Sequence, residues 1–244
     1  MKPIKQEEKI KCKICKDTGW VKKGNIVYKC KCKLKEITEN IYNRMKIPKR
    51  YRDVSFENFM PTKAYGQDLV LNKAKQYVLS NDYKEGKGIL FVGPPGVGKT
   101  HLAVSILKDF FLKRSIVGLF RDTRTLLFDL KLTFDGSASS RELLEEVLDA
   151  PILVLDDLGS ERLSDWAKDI LHYVIIHRYN EQKPIIITSN LDLSSDDEMQ
   201  TSLEEKLGSS IASRIREICE VIYVKGPDVR GRNFLNRLQE EDED

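Results

Sequence analysis

An apolar run, Ile89-Leu90-Phe91-Val92, passes directly into Gly93-Pro94-Pro95-Gly96-Val97-Gly98-Lys99-Thr100, and an apolar stretch with helical spacing follows. This fits G-x-x-x-x-G-K-[ST] in the strand-before, helix-after context the pattern requires. A chain carrying it is constrained to an α/β layout in which the strand tip faces a ligand. The glycines let backbone N–H groups turn inward around a phosphate, and the next helix offers the positive end of its dipole. Lys99 supplies a mobile charge for the β- and γ-phosphates, and the Thr100 hydroxyl suits magnesium. Gly93, Gly96, Val97, Gly98, Lys99, Thr100 and His101 are therefore the candidate ATP-binding residues. The bland alternative, a glycine turn with an incidental lysine, does not account for the flanking elements.

The rest of the chain supports the same layout. Apolar runs predict strands at 88–92, 117–121, 152–156, 184–188 and 221–224, and spacings of three and four predict helices near 100–114, 123–133, 140–149, 164–181 and 202–217. Strands alternating with helices indicate a five-stranded parallel sheet flanked by helices. Ile152-Leu153-Val154-Leu155 is apolar without alternation, as a central parallel strand covered on both faces should be.

That strand ends in Asp156-Asp157, with Asp156 57 residues beyond Lys99. At the carboxyl end of a parallel strand, Asp156 can hold magnesium and Asp157 can orient or deprotonate an attacking water. Alone, two acids after a strand could equally cap a helix. A third strand, Ile185-Ile186-Ile187-Thr188, ends in Ser189-Asn190. The Asn190 amide can meet both γ-phosphate and water, although asparagine is also an ordinary turn residue.

The first 35 residues are different in kind. Cys12-Lys13-Ile14-Cys15 and Cys30-Lys31-Cys32 form two knuckles, with Gly19 and Gly24 bending the hairpin between them. Four thiolates from Cys12, Cys15, Cys30 and Cys32 suit a tetrahedral zinc site, the surrounding lysines offsetting its charge. A redox pair is the rival reading, but it needs only one of the two clusters. Cys219 stands apart on an apolar stretch and reads as core. Residues 1–52 carry 17 Lys and Arg against 5 Asp and Glu, a balance of +12, while the remaining 192 carry 24 against 33, a balance of −9. A basic module on an acidic body implies nucleic acid, an acidic protein surface, or simply a solvated face. The charged N-terminus has no secretory signal and no apolar run reaches membrane-spanning length, so a cytoplasmic location is expected. The chain divides into a Cys-rich zinc-binding module (1–35), a helix and linker broken at Pro48 and Pro61 (36–62), an ATPase domain (63–232) and an acidic tail (233–244).

With Walker A, Walker B and a sensor-like asparagine at these spacings, the chain resembles an AAA+ ATPase with a P-loop fold. Val154-Leu155-Asp156-Asp157-Leu158-Gly159, Ile187-Thr188-Ser189-Asn190-Leu191 and Ala212-Ser213-Arg214 resemble bacterial replicative helicase loaders of the DnaC and DnaI type. Transposition helper ATPases of the IstB type share much of the pattern. The resemblance covers about residues 50–232. It implies that Arg214 is an arginine finger reaching a neighbouring subunit's ATP and that Arg230, in Gly226-Pro227-Asp228-Val229-Arg230, is a second sensor arginine. It implies an ATPase that loads the replicative helicase hexamer onto single-stranded DNA, self-associates with ATP and meets the helicase through its N-terminal region; the short apolar runs point to a protein that needs no membrane. Arg121, Arg124 and Lys131 would line a central DNA channel. Two features depart from the family. Asp157 stands where most AAA+ proteins have Glu, which shortens the base by one methylene. Only 20 residues follow the last expected strand, leaving little or no C-terminal lid. Both departures point to a weak ATPase. A helper acting on duplex DNA, and a zinc-bearing DNA-binding module on an ATPase fold kept only for structure, are the competing readings.

Overall fold

In a computed structural model, the structure describes residues 11–132, 138–160, 163–194 and 201–230. The acidic tail and most of the polar break at 134–140 lie outside the described residues. The chain forms two compact units, one ending at Arg44 and the other beginning at Met45.

The first unit is a hairpin and a helix. Strand β1 (Trp20–Lys23) pairs antiparallel with β2 (Ile26–Lys29), and helix α1 (Lys31–Arg44) follows at once. The helix starts five residues before position 36 and takes Cys32 into its first turn. The structural division therefore falls after Arg44 and not near residue 35, because the helix that holds Cys32 runs on to Arg44.

The second unit contains α2 (Gln67–Leu79), β3 (Gly88–Val92), α3 (Lys99–Arg114), β4 (Leu119–Asp122), α4 (Thr123–Leu132), α5 (Ala138–Asp149), β5 (Leu153–Asp156), α6 (Asp165–Asn180), β6 (Ile185–Ser189), α7 (Leu203–Leu207), α8 (Ser209–Ile218) and β7 (Cys219–Tyr223). The sheet runs β4-β5-β6-β3-β7 with every pairing parallel. Every residue of β3, β5 and β6 is buried, whereas β7 at one edge has exposed positions at Glu220 and Tyr223. This follows from helices covering both faces of the inner strands. Register aligns Val92 with Ser189 and Tyr223, and Asp122 with Asp156, so the functional strand tips share one edge.

Three local results differ from the sequence expectation. The 202–217 helix is two helices, because Gly208 lies between them at φ +92°, outside helical geometry. Helix α2 was given no range by the periodicity. Residues 45–62 are no loose tether: Met45, Ile47, Phe56 and Phe59 are buried. Lys108 Nζ donates to the carbonyls of Arg52 (2.7 Å) and Val54 (2.6 Å), and Phe120 N–H donates to Met45 O (2.8 Å).

Candidate nucleotide site and cysteine cluster

The loop after β3 is shaped by what touches it. Gly96 sits at φ +80°, and a Cβ there would fall 1.9 Å from the Asp228 carboxylate, while Val229 N–H donates to Gly96 O (3.1 Å). The segment after β7 thus folds back onto the loop. On the other side, a Cβ at Gly98 would meet the Phe59 ring. Val97 is buried. Only glycine fits at both contacts, and glycines let such a loop curl its backbone N–H groups toward a phosphate.

Lys99 and Thr100 begin α3. All three Lys99 ammonium protons have acceptors: Gly93 O (2.7 Å), Pro94 O (2.8 Å) and Asn190 Oδ1 (2.7 Å). Burial lowers this ammonium to about 8, against the raising influence of Asp157 and Asp156, and Arg230 adds to the lowering. Asn190 turns its other end to the second acid, Nδ2 donating to Asp157 Oδ1 (2.9 Å). The strand order puts β6, and hence Asn190, between β3 and β5, as the motifs require.

Asp156 Oδ1 accepts from both Thr100 Oγ1 (2.8 Å) and Thr188 Oγ1 (2.7 Å). Burial raises its pKa, and the two hydroxyls oppose the rise. Thr188 also accepts from Asp157 N–H (2.8 Å), so one hydroxyl sets both acids. Thr123, at the start of α4, donates to Asp156 O (2.9 Å). Asp157 itself lies at φ +59°, a conformation Asp tolerates better than most side chains. A buried carboxylate beside a threonine hydroxyl is a donor set that fits a hard divalent cation. Sequence reasoning missed Thr188 and Thr123 because β-branched threonine at a strand or helix end reads as ordinary propensity.

His101 is turned elsewhere. Its Nε2 meets Ser55 O (2.8 Å) and its ring stands edge-on to Phe59 at 5.3 Å. Burial lowers its pKa. What it can offer a phosphate is its backbone N–H in the first turn.

Arg214 lies apart from this network, and Arg230 lies close enough to act on the Lys99 ammonium. Arg214, on α8, donates to Ser210 O (2.9 Å) and Oγ (3.0 Å), and its guanidinium stands 5.7 Å from the Tyr179 ring centroid. Arg230 N–H donates to Asp228 Oδ1 (2.9 Å), beside the glycine loop. Arg121 departs from the expected channel role, because it is ion-paired with Glu146 of α5 and largely covered. Arg124, Phe128 and Lys131 do share an exposed stripe on α4.

In the first unit the Sγ atoms of Cys12, Cys15, Cys30 and Cys32 all lie within 4.8 Å of one another. Cys12 and Cys30 sulfurs are 3.8 Å apart, and those of Cys15 and Cys32 are 3.4 Å apart. Four sulfurs at about 2.3 Å from one zinc would be about 3.8 Å apart, so the cluster fits a tetrahedral metal. Asp17 fixes the first knuckle by accepting from Lys11 N–H (2.9 Å) and Cys12 N–H (2.8 Å). Backbone N–H groups of Cys15 and Ile14 bring Cys12 down to about 7, while hydrogen bonding with Cys15 pushes Cys32 up to about 12.

A parallel sheet in this order, with a glycine loop, an acid-tipped strand and an amide-tipped strand between them, defines an AAA+ P-loop protein. The family described as IstB-like ATP binding protein matches residues 40–236, and the chain belongs to it. It is 31% identical over 170 residues to the replicative helicase loader DnaC of Escherichia coli (strain K12), covering 69% of this chain and 67% of that one. The crystal structure of a DnaC helicase loader superimposes with a TM-score of 0.66 at 42% identity, covering 73% of this chain and all of that chain. A DnaI crystal structure gives a TM-score of 0.63 at 28% identity, covering 74% and 96%. The likeness is to DnaC-type AAA+ loaders, which favours the loader over the transposition helper. Among the described residues, no helix is long and apolar enough to cross a membrane.

Proposed function

We propose that this chain is an ATP-dependent loader of the replicative helicase hexamer onto single-stranded DNA, working as a slow nucleotide switch. The observation that carries the switch is Asn190, whose amide joins the Lys99 ammonium to the Asp157 carboxylate. Lys99 would exchange the Gly93 and Pro94 carbonyls for the β- and γ-phosphates of ATP, leaving Asn190 to register whether the γ-phosphate is there. Asp157 would take the proton of the attacking water, and its short side chain favours a low rate. Thr100 and Asp156 would hold magnesium, which supplies charge neutralisation between the phosphates. Arg230 would close on the nucleotide from the segment against Gly96. Arg214 would serve a neighbouring subunit's ATP, giving assembly that depends on ATP.

The helicase as partner is supported by the DnaC relatives and by the separate basic module, which would be the arm that meets it and would be folded by zinc. Single-stranded DNA would lie on Arg124 and Lys131 of α4, held through its phosphates, with Phe128 between them. The test is helicase loading on circular single-stranded DNA with ATP, read by strand unwinding. Arg124→Glu with Lys131→Glu should abolish loading and weaken ATP-dependent DNA binding while ATP affinity stays. A core that prefers duplex DNA, in a chain that ignores the helicase, would replace this reading with the transposition helper.

A further inference from the structure

The hairpin of the first unit leaves apolar side chains in the open. Trp20 is 52% exposed and Val27 57% exposed. In an antiparallel pair, directly opposed residues share a face and alternate residues repeat it. The register opposes Trp20 with Lys29 and Lys22 with Val27. One face therefore carries Trp20, Val27, Lys22 and Lys29, and the other carries Val21, Tyr28, Lys23 and Ile26. The first face puts an indole on the same side of the ladder as two lysines. The described part of this unit, residues 11–44, holds ten Lys and Arg against Asp17, Glu36 and Glu39, so its field is strongly positive.

We infer that this face binds single-stranded nucleic acid, with a base stacked on Trp20 and the adjoining phosphates on Lys22 and Lys29. An exposed indole flanked by cations matches what an unpaired strand presents, a π-face beside a phosphate. A duplex hides its base faces, so an exposed indole among cations favours an unpaired strand. The site is separate from the ATP site and needs no nucleotide, so it goes beyond the loader reading and can fail without it. It would let the amino-terminal arm catch a strand before the ATPase unit engages it.

The experiment uses the zinc-loaded full chain without nucleotide, in a Trp166→Phe background so that Trp20 is the sole indole. Titration with oligo(dT) should quench Trp20 fluorescence, and an oligo(U) arm separates DNA from RNA as the source. Trp20→Phe should keep most of the affinity, and Trp20→Ala should lower it on the order of tenfold, read by anisotropy of a labelled strand. Lys22→Glu with Lys29→Glu, which touches no packed side chain, should weaken binding and reduce the salt slope by about 1.4. Ile26→Ala, on the opposite face, should change nothing. Equal affinity in Trp20→Ala and in the double-lysine variant would overturn the proposal. So would duplex bound as tightly as single strand, or a Trp20→Ala protein that loses helicase binding and keeps oligonucleotide binding.

Discussion

The two units hold their backbones in place by different means. From Met45 onward, the second unit buries whole strands, with Leu90, Leu153, Val154, Leu155, Ile185, Ile186 and Ile187 at 0% exposure and six apolar residues of α3 beneath them. In residues 11–44 the buried apolar side chains are Cys15, Cys30 and Tyr42, and two of these three belong to the sulfur cluster. A two-stranded hairpin is marginal alone, and so small a unit lacks the apolar mass to offset its ordering entropy. The larger unit is stable through burial. The smaller one has, in place of such burial, four clustered sulfurs that could hold a metal.

The largest expected effect tests that contrast directly. Structural zinc in small domains contributes about 10–16 kcal/mol of apparent binding free energy, which is also folding free energy. The purified protein should contain about one zinc per chain. A strong chelator should abolish amide protection in residues 11–44 while ATP affinity of the other unit changes less than about twofold. Protein without zinc, whose four thiols react freely, would break the comparison.

Next in size is the arginine that the large unit keeps off its own site. Arg214→Ala should bind ATP normally and lose roughly 10³-fold in turnover, about 4 kcal/mol in barrier. Mixing it with Lys99→Ala protein should restore part of the rate, because each variant supplies what its neighbour lacks. Turnover unchanged by the mixture, with a mass by light scattering that ignores ATP, would mean that Arg214 does not act between subunits.

Arg178 sharpens the contrast from inside the large core. It is fully buried, and its guanidinium donates to the carbonyls of Val147, Leu148, Ala150 and Pro184 at 2.8–3.2 Å. Burial lowers it to about 9. Arg178→Leu would leave the Val147 and Ala150 carbonyls without this donor at about 1–3 kcal/mol each, partly relieved by apolar replacement. Leu148 O keeps Lys183 Nζ (3.1 Å), and Pro184 O keeps Leu153 N–H (3.3 Å). The expected loss is about 3 kcal/mol in urea unfolding of the large unit, with zinc content unchanged. A loss that spread to residues 11–44 would show that the two units do not unfold separately.

Much of this was legible beforehand, and the rest was not for identifiable reasons. β3 falls at 88–92 as its unbroken apolar run required, and the loop, Asp156 and Asn190 converge on one sheet edge. Their chemistry is written in local patterns. The strap at 45–59 was not legible, since its anchors are single apolar residues and a buried Lys108 that bonds main-chain carbonyls. Nor was the pairing of Arg121 with Glu146, 25 residues away in sequence. Thr188 was passed over because its hydroxyl matters only through Asp156 and Asp157, which another strand brings beside it.

The smallest expected effect concerns how the large unit holds its two reactive strand tips in register. Helix α7 has only five residues and cannot be stable by propensity alone. Its start is fixed by buried Ser202, whose Oγ accepts from Glu205 N–H (3.2 Å). The helix then fastens to both tips. Leu203 N–H donates to Asp192 O (2.8 Å) and Glu204 N–H to Leu193 O (3.0 Å), beyond Asn190. Lys206 Nζ donates to Gly159 O, two residues beyond Asp157. Ser202→Ala removes the cap and should cost about 1 kcal/mol in stability. It should lower turnover several-fold through a looser Asn190–Asp157 contact, with ATP affinity held, since Lys99 and the glycine loop are anchored elsewhere. Ser202→Thr keeps an acceptor and should restore most of both losses. If Ser202→Ala instead weakens ATP binding and leaves the rate intact, α7 supports the nucleotide pocket and not the spacing of the two tips.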